Sequence, residues 1–510
     1  MRARRISLVL MMSSLLTACE VGPDYVKPNM RMPSGWTEQS VSLAKAQASA
    51  PKLRAWWTTF NDPVLTHLVD TAIAGDYDLK IARQRLIAAR AERVVAGSAN
   101  APQVSFGSTD FLANSSTTLQ WPPGNGFYRN YSLGFDASWE LDIFGGTRRS
   151  EEAADAEIGA AIEDRRAILV SILAELATDY ATLRATQVRI DIAERNIGVA
   201  RQALDLATTA FSRGLTNNLA TAQAQAQLDT AQSTLPPLHA QVAQMTHAIA
   251  VLLGQSPGTL EADLSRPAPA VPTPPDLPVT LPSEVVANRP DIRRAERQFA
   301  ASSARIGAAV AQLYPHFTIP LVLTPTTSYL NETFQAASLV WSAGLTLTQT
   351  VYDGGRRSAW VSEARAAAEA NRLAYEQTVL QALREVEDAL VAYNTETQRD
   401  QTLHKAIVDN RTAHDRASML YAAGLTDFLN VLATERALYA AEDETALSDL
   451  TRVREVIALY KALGGGWQAI SFGDENEIAT RPTAAGHAPG PQLIRSVASP
   501  DATNALRGAP

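Results

Sequence analysis

A single cysteine, Cys19, in a chain of 510 residues excludes any intramolecular disulfide. No run rich in Lys or Arg stands out and the net charge is mildly acidic at −8, so nothing points to nucleic acid. Catalytic groupings are missing as well. The seven histidines (His67, His239, His247, His316, His404, His414 and His487) are scattered, with no His-Glu-x-x-His and no cysteine partners for zinc. His404 and His414 fall about 80° out of phase on a helix, which argues against a metal shared between them. Gly464-Gly465-Gly466 lacks the Lys-Ser/Thr of a phosphate loop and reads as a helix stop before Trp467. Asp353-Gly354-Gly355-Arg356 reads as a strand-to-helix turn, and no Gly-x-Ser-x-Gly occurs. The sequence therefore predicts no enzyme, no catalytic residue, no metal and no dissociable cofactor.

What the lone cysteine does have is a telling position. Residues 1–18 carry Arg2, Arg4 and Arg5, an apolar run over 6–16, and Leu16-Thr17-Ala18 immediately before Cys19. This is a secretory signal of the bacterial lipoprotein form, too short to span a bilayer, with cleavage expected just before Cys19. Removing it takes away three arginines and no acids, giving a mature charge of 42 − 53 = −11. The expected anchor is a covalent diacylglycerol with an N-acyl chain on Cys19. Glu20, rather than an aspartate, follows and resembles lipoproteins sorted to the outer membrane.

The chain is also written twice. Phe211-Ser212-Arg213-Gly214-Leu215-Thr216 returns as Tyr421-Ala422-Ala423-Gly424-Leu425-Thr426, an offset of 424 − 214 = 210, and Leu253-Gly254 returns as Leu463-Gly464. Asp78-Leu79 answers to Asp291-Ile292 at 213, and Gly145-Gly146 matches Gly354-Gly355 at 209. Conserved spacing implies conserved length, hence one pseudo-symmetric body. The reading divides it into an arm over 19–62, repeat 1 over 63–266, a proline-rich linker over 267–282, repeat 2 over 283–467 and a disordered tail over 468–510. Each repeat is expected to run helix, two strands, long helix, tip, return helix.

Tyr131, Leu133, Phe135, Ala137, Trp139 and Leu141 alternate with small or polar residues, as do Leu339, Trp341, Ala343, Leu345 and Leu347. Phe317 to Leu323 gives a third strand weakened by Pro320, and Gln103 to Phe111 the poorest. An apolar face and a small polar face fit a transmembrane barrel or a soluble sheet with one buried face. The absence of a covering amphipathic helix, and Tyr131, Trp139, Tyr329 and Trp341 placed near strand ends, favour the membrane. Four strands cannot close a barrel, since about eight is the smallest that does, so the chain must pool strands with copies of itself.

Proline is absent from 147–211 and from 356–421. Each run would make a helix of about 100 Å. Pro236-Pro237 should kink the first return helix, where the second has Ala446. Tyr421 and Leu429 are read as features of the second tip only.

Cys19-Glu20-Val21-Gly22-Pro23-Asp24-Tyr25, the run from Trp56-Trp57 through Phe60 to Asp62-Pro63, Asn288-Arg289-Pro290-Asp291-Ile292-Arg293-Arg294-Ala295-Glu296, and Tyr460-Lys461-Ala462-Leu463-Gly464-Gly465-Gly466-Trp467 appear in this order. Together they resemble the TolC-like outer membrane factors, specifically the NodT-type lipoprotein branch that serves RND efflux systems. The resemblance implies an α+β membrane protein, each protomer giving four β-strands to a trimeric 12-stranded barrel continuous with a long α-helical periplasmic barrel. It implies a homotrimeric passive duct in the outer membrane, working with a periplasmic adaptor (membrane fusion) protein and an inner-membrane RND-type pump. Adaptor docking would map to Gly214, Leu215, Thr216, Gly424, Leu425 and Thr426. The family's narrowing maps to Leu429 with Tyr421 as latch. Its latch arginine is here Ala422 and its carboxylate one turn beyond the leucine is Ala433, which leaves Asp427 as a substitute carboxylate. The alternatives are a type I secretion duct and a structural coiled-coil lipoprotein.

Overall fold

The computed structural model describes residues 20–37, 53–116, 118, 126–214, 217–265, 272 and 282–473. Cys19, Leu215, Thr216, nearly all of the linker and the tail beyond 473 lie outside the described residues.

The elements, in chain order, are helices α1 (Pro63–Gly75) and α2 (Tyr77–Ser98), strands β1 (Gln103–Ser115) and β2 (Gly126–Leu141), and helices α3 (Gly146–Ser212), α4 (Asn218–Ser233), α5 (Leu235–Leu252) and α6 (Glu261–Leu264). Then follow α7 (Pro282–Asn288), α8 (Pro290–Ala311), β3 (His316–Thr327), β4 (Leu339–Ala343), β5 (Thr346–Thr348), α9 (Arg356–Ala422) and α10 (Phe428–Ala462). The first helical stretch, expected to be continuous, breaks at Asp76. Its extended ψ of 137° ends α1, and its carboxylate accepts from Leu79 N at 2.9 Å to cap α2.

The two proline-free runs are each one helix of 67 residues. They begin on glycines in the left-handed region, Gly145 at φ 79° and Gly355 at φ 88°. An aspartate ahead of each start, Asp142 or Asp353, accepts a backbone N–H of the first turn, from Arg148 at 2.9 Å and from Arg357 at 3.2 Å. The equivalent glycines are therefore Gly145 and Gly355, an offset of 210; the match of Gly145-Gly146 to Gly354-Gly355 was one residue out of register. From these caps through both tips to Gly254 and Gly464 the offset stays at 210. Helices α2 and α8, 22 residues each, keep the offset of 213. The return helices differ: α4 stops at Thr234 before Pro236-Pro237, whereas α10 runs unbroken past Ala446 for 35 residues.

The strands form one antiparallel meander, β1-β2-β3-β4, with β5 also on β3. The registers Gln103↔Ser138, Leu141↔Phe317 and Phe317↔Leu347 place the ends attached to all four flanking helices at one end of the sheet. β1 runs on to Ser115, beyond the poor stretch foreseen at Gln103 to Phe111, and this puts Tyr131 in mid-strand rather than near an end. Trp341 is likewise in the middle of β4. The expected fourth strand is two pieces, and the gap between them lies opposite Pro320, which has no N–H to give to the ladder. Pro325 falls at a second gap, where β2 and β3 lose pairing over Leu133-Gly134.

Directly paired residues share a face, so Phe106, Phe135 and Leu323 lie in one row with Trp341, and Val104, Ala137, Leu321 and Ala343 in the next. Phe106, Phe135, Leu323 and Trp341 are 62%, 53%, 49% and 72% exposed. Among the described residues no helix is long and apolar enough to cross a membrane.

The main core sits midway along the helices, where Trp56 stacks on Tyr460 at 5.1 Å and packs against Trp57 and Phe60. Residues 20–37 begin against repeat 1, where Val21 N donates to Phe144 O at 3.3 Å and Arg149 pairs with Asp24 at 2.6 Å, and then run extended along the second repeat. Tyr25 packs edge-on to Phe299 at 5.5 Å, Lys27 pairs with Glu296 at 2.7 Å, and Thr37 N donates to Glu387 at 2.8 Å. The tail does not begin at 468 as a detached segment: Ile470 and Phe472 pack on the main core, with Arg165 over the Phe472 ring.

Candidate functional site

The features with functional potential lie at the two helical tips. Both long helices end on a glycine at φ 71°, Gly214 and Gly424, each donating its N–H to a carbonyl three residues back, from Phe211 or Tyr421 at 2.9 Å. At the second tip Leu425 N also donates to Leu420 O at 2.9 Å, completing a Schellman closure. Leu425 is 74% exposed. The Thr426 hydroxyl accepts from Asn430 Nδ2 at 2.8 Å, fixing the first turn of α10. Asp427 is exposed and caps no helical N–H with its side chain, whereas its counterpart Asn217 accepts from Leu219 N at 3.1 Å.

The tips are held together by small residues. Phe428, Val431 and Leu432 are buried against Ala203 and Ala207 of α3 and Ala220 and Ala224 of α4, with Tyr421 half-buried beside the Phe428 ring at 5.2 Å. Alanines let the helices approach closely. Leu429 points away from this cluster and is 60% exposed. It is not peculiar to the second copy: Leu219 occupies the equivalent place, 429 − 210, and is 57% exposed. Phe211 corresponds to Tyr421 in the same way. The copies therefore differ at Asn217/Asp427 and at the α4–α5 break rather than at the leucine. Ala422 and Ala433 are both exposed, and neither offers an ion pair.

One residue near the second tip escaped the sequence reading. Glu435 continues the buried stripe of Phe428, Val431 and Leu432, is only 2% exposed, and has neither carboxylate oxygen hydrogen-bonded. Its helical phase with those apolar residues was the available signal. Burial pushes its carboxyl from the ordinary 4.5 up to about 7, against a small opposing pull from Arg436. Arg436 itself donates to Gln227 at 2.6 Å. A carboxyl whose folded pKa is raised costs stability as pH climbs from about 4.5 through 7, because only the unfolded chain ionises freely there. The thermal midpoint should fall between mildly acidic and mildly basic pH, and Glu435→Gln should flatten that fall. Asp179, pushed by burial to about 6, titrates in the same window in both proteins, so the difference isolates Glu435. Identical slopes would remove Glu435 from the account.

The comparisons with known proteins agree with this architecture. Residues 68–255 and 281–465 match the outer membrane efflux protein family, one match per repeat. The pyoverdine export outer membrane protein OpmQ of Pseudomonas putida is 32% identical over 478 residues, covering 91% of this chain and 98% of that protein. Nodulation protein T of Rhizobium leguminosarum bv. trifolii is 28% identical over 461 residues, covering 90% and 97%. Among solved structures the outer-membrane channel OprN matches with a TM-score of 0.81 at 34% identity, over 88% of this chain and all of that one, 100%. CusC matches at 0.75 and 26%, over 88% and 100%. OprN and CusC are described as channels and OpmQ as an export protein, which is transport rather than catalysis. The chain belongs to the outer membrane efflux protein family, and it is an efflux channel of the outer membrane that reaches through the periplasm.

Proposed function

We propose that three copies of this chain pool their four strand positions into one twelve-stranded barrel, whose pore continues through a tube built from the six long helical hairpins. The observation that carries this reading is the sheet. It leaves one apolar face uncovered and both its outer strands, β1 and the β4/β5 pair, without outer neighbours among the described residues. In lipid such edges must be paired, and closure on copies of the same chain pairs all of them. The 67-residue helices all leave from one end of that sheet and extend it by about 100 Å.

The duct is passive. A diacylglycerol and N-acyl chain on Cys19 would anchor the arm that lies along repeat 2. Gly214-Leu215-Thr216, whose Gly214 is an exposed helix cap, and Gly424-Leu425-Thr426, at a tightly capped and exposed tip, would meet the periplasmic adaptor, with an RND-type pump beyond it. Relatives are named for pyoverdine export, toluene efflux and cation efflux, so one channel architecture serves unlike cargoes and the pump selects among them. A coiled-coil rod would have no use for the sheet, and the family favours efflux over polypeptide secretion.

Closure is assigned to a ring of Leu429 side chains, with Tyr421 packed behind them and Asp427 as the carboxylate at the mouth. Leu429→Ala should raise single-channel conductance in planar bilayers about twofold or more. Unchanged conductance would sink the assignment of the gate.

A further inference from the structure

Outside the tips, one side-chain cluster combines the donor types of a metal site. Asp400 and His404 stand one turn apart on α9, and Asp449 faces them from α10. One ligand atom from each lies within 4.8 Å of the others. Asp400 is 5% exposed, and its Oδ1 has no hydrogen-bond partner. That oxygen is 3.5 Å from His404 Nε2. This exceeds a good hydrogen bond, but it is close to the edge of a tetrahedron with metal–ligand bonds of about 2.0–2.1 Å, which is about 3.3 Å.

The other oxygen is already used. Arg452 Nη1 lies 2.8 Å from Asp400 Oδ2 and 3.7 Å from Asp449 Oδ1. One guanidinium facing two carboxylates leaves a negative charge over, and it leaves Asp400 Oδ1 free on the side where the imidazole stands. An imidazolium 3.5 Å away would balance that charge but stands too far to close a good hydrogen bond to the orphaned oxygen. A divalent cation on that side would satisfy both.

We propose that Asp400, His404 and Asp449 form a site for a divalent transition cation of the zinc class, completed by water, which ties α9 to α10 in the wall of the helical tube. One imidazole with two carboxylates suits zinc, cobalt or nickel better than calcium or magnesium, which take oxygen alone. The site lies 22 residues, roughly 33 Å, from the end of α9 at Ala422, well away from the gate. It crosslinks the hairpin that carries Leu429, so its occupancy would stiffen the second tip's support.

The test is calorimetric titration of Zn²⁺ into the untagged, metal-stripped full chain in detergent, beside His404→Ala and Asp449→Asn. His404 has an exposed side chain, so its truncation leaves the packing intact. The expected result is one equivalent per chain, a zinc-dependent rise in thermal midpoint, and at least tenfold weaker binding with loss of that rise in His404→Ala. Absence of binding at millimolar zinc, or equal binding in wild type and both variants, would overturn the proposal.

Discussion

Arginine in place of Phe135 is expected to abolish assembly of the channel. Phe135 lies near the middle of β2, between Phe106 of β1 and Leu323 of β3, with its ring 5.2 Å from that of Phe106. It is over half exposed, and among the described residues no helix covers its face. If that face meets lipid, an arginine near the bilayer midplane costs about 2–4 kcal/mol per copy, and three copies carry it. The same change on a face open to water would be nearly neutral. Asp136, the next residue, is on the opposite face with Ser105 and Val322 as cross-strand neighbours, and Asp136→Asn should assemble normally. The readout is the heat-modifiable oligomer in outer-membrane fractions. An oligomer of wild-type abundance from Phe135→Arg would mean that the apolar row does not face lipid.

The second large effect is expected at Arg289. Its guanidinium is 8% exposed and forks onto Asp291 at 3.0 and 2.6 Å, while Nη1 also donates to Glu385 at 2.7 Å and to the Ala462 carbonyl at 2.9 Å. One side chain thus joins the start of α8 to the flank of α9 and the C-terminus of α10. Burial alone would raise the Asp291 carboxyl, but the Arg289 fork outweighs it and holds that carboxyl below its ordinary range. Arg289→Ala leaves Asp291, 30% exposed and still accepting from Ile292 N, without its fork, and leaves the Ala462 carbonyl without its donor, which should cost about 2–3 kcal/mol. Arg289→Lys keeps the charge, loses the fork, and should cost less. Denaturation of the purified protein measures both; a loss under about 1 kcal/mol for the alanine variant would show that the network is dispensable.

The part of this architecture legible in the sequence was the part fixed by local rules. Proline-free stretches became the two 67-residue helices, Gly-Leu-Thr marked both tips, and Pro236-Pro237 located the break in the first return helix, because each acts on its own few residues. The split of the fourth strand was not legible in residues 338–348. It follows from Pro320 on the facing strand, and the register across strands is not written in either strand alone. Tyr131 was misplaced for the same reason, since the reach of β1 sets the reach of β2. At the tips, motif similarity concealed the equivalence of Leu219 with Leu429, which the 210-residue offset would have shown directly. Glu435 and the Asp400–His404–Asp449 cluster needed the fold. A carboxylate on an apolar stripe is visible in the sequence, but its lack of partners is not, and histidines weighed only against other histidines hide an aspartate one turn away and a third group on another helix.

Native mass spectrometry of the purified full chain in detergent tests most directly whether the sheet is shared between copies. A single species of three chains, stable until heated, is the expected result. A monomer or dimer as the only folded species would contradict it, because the sheet edges would then have some other partner.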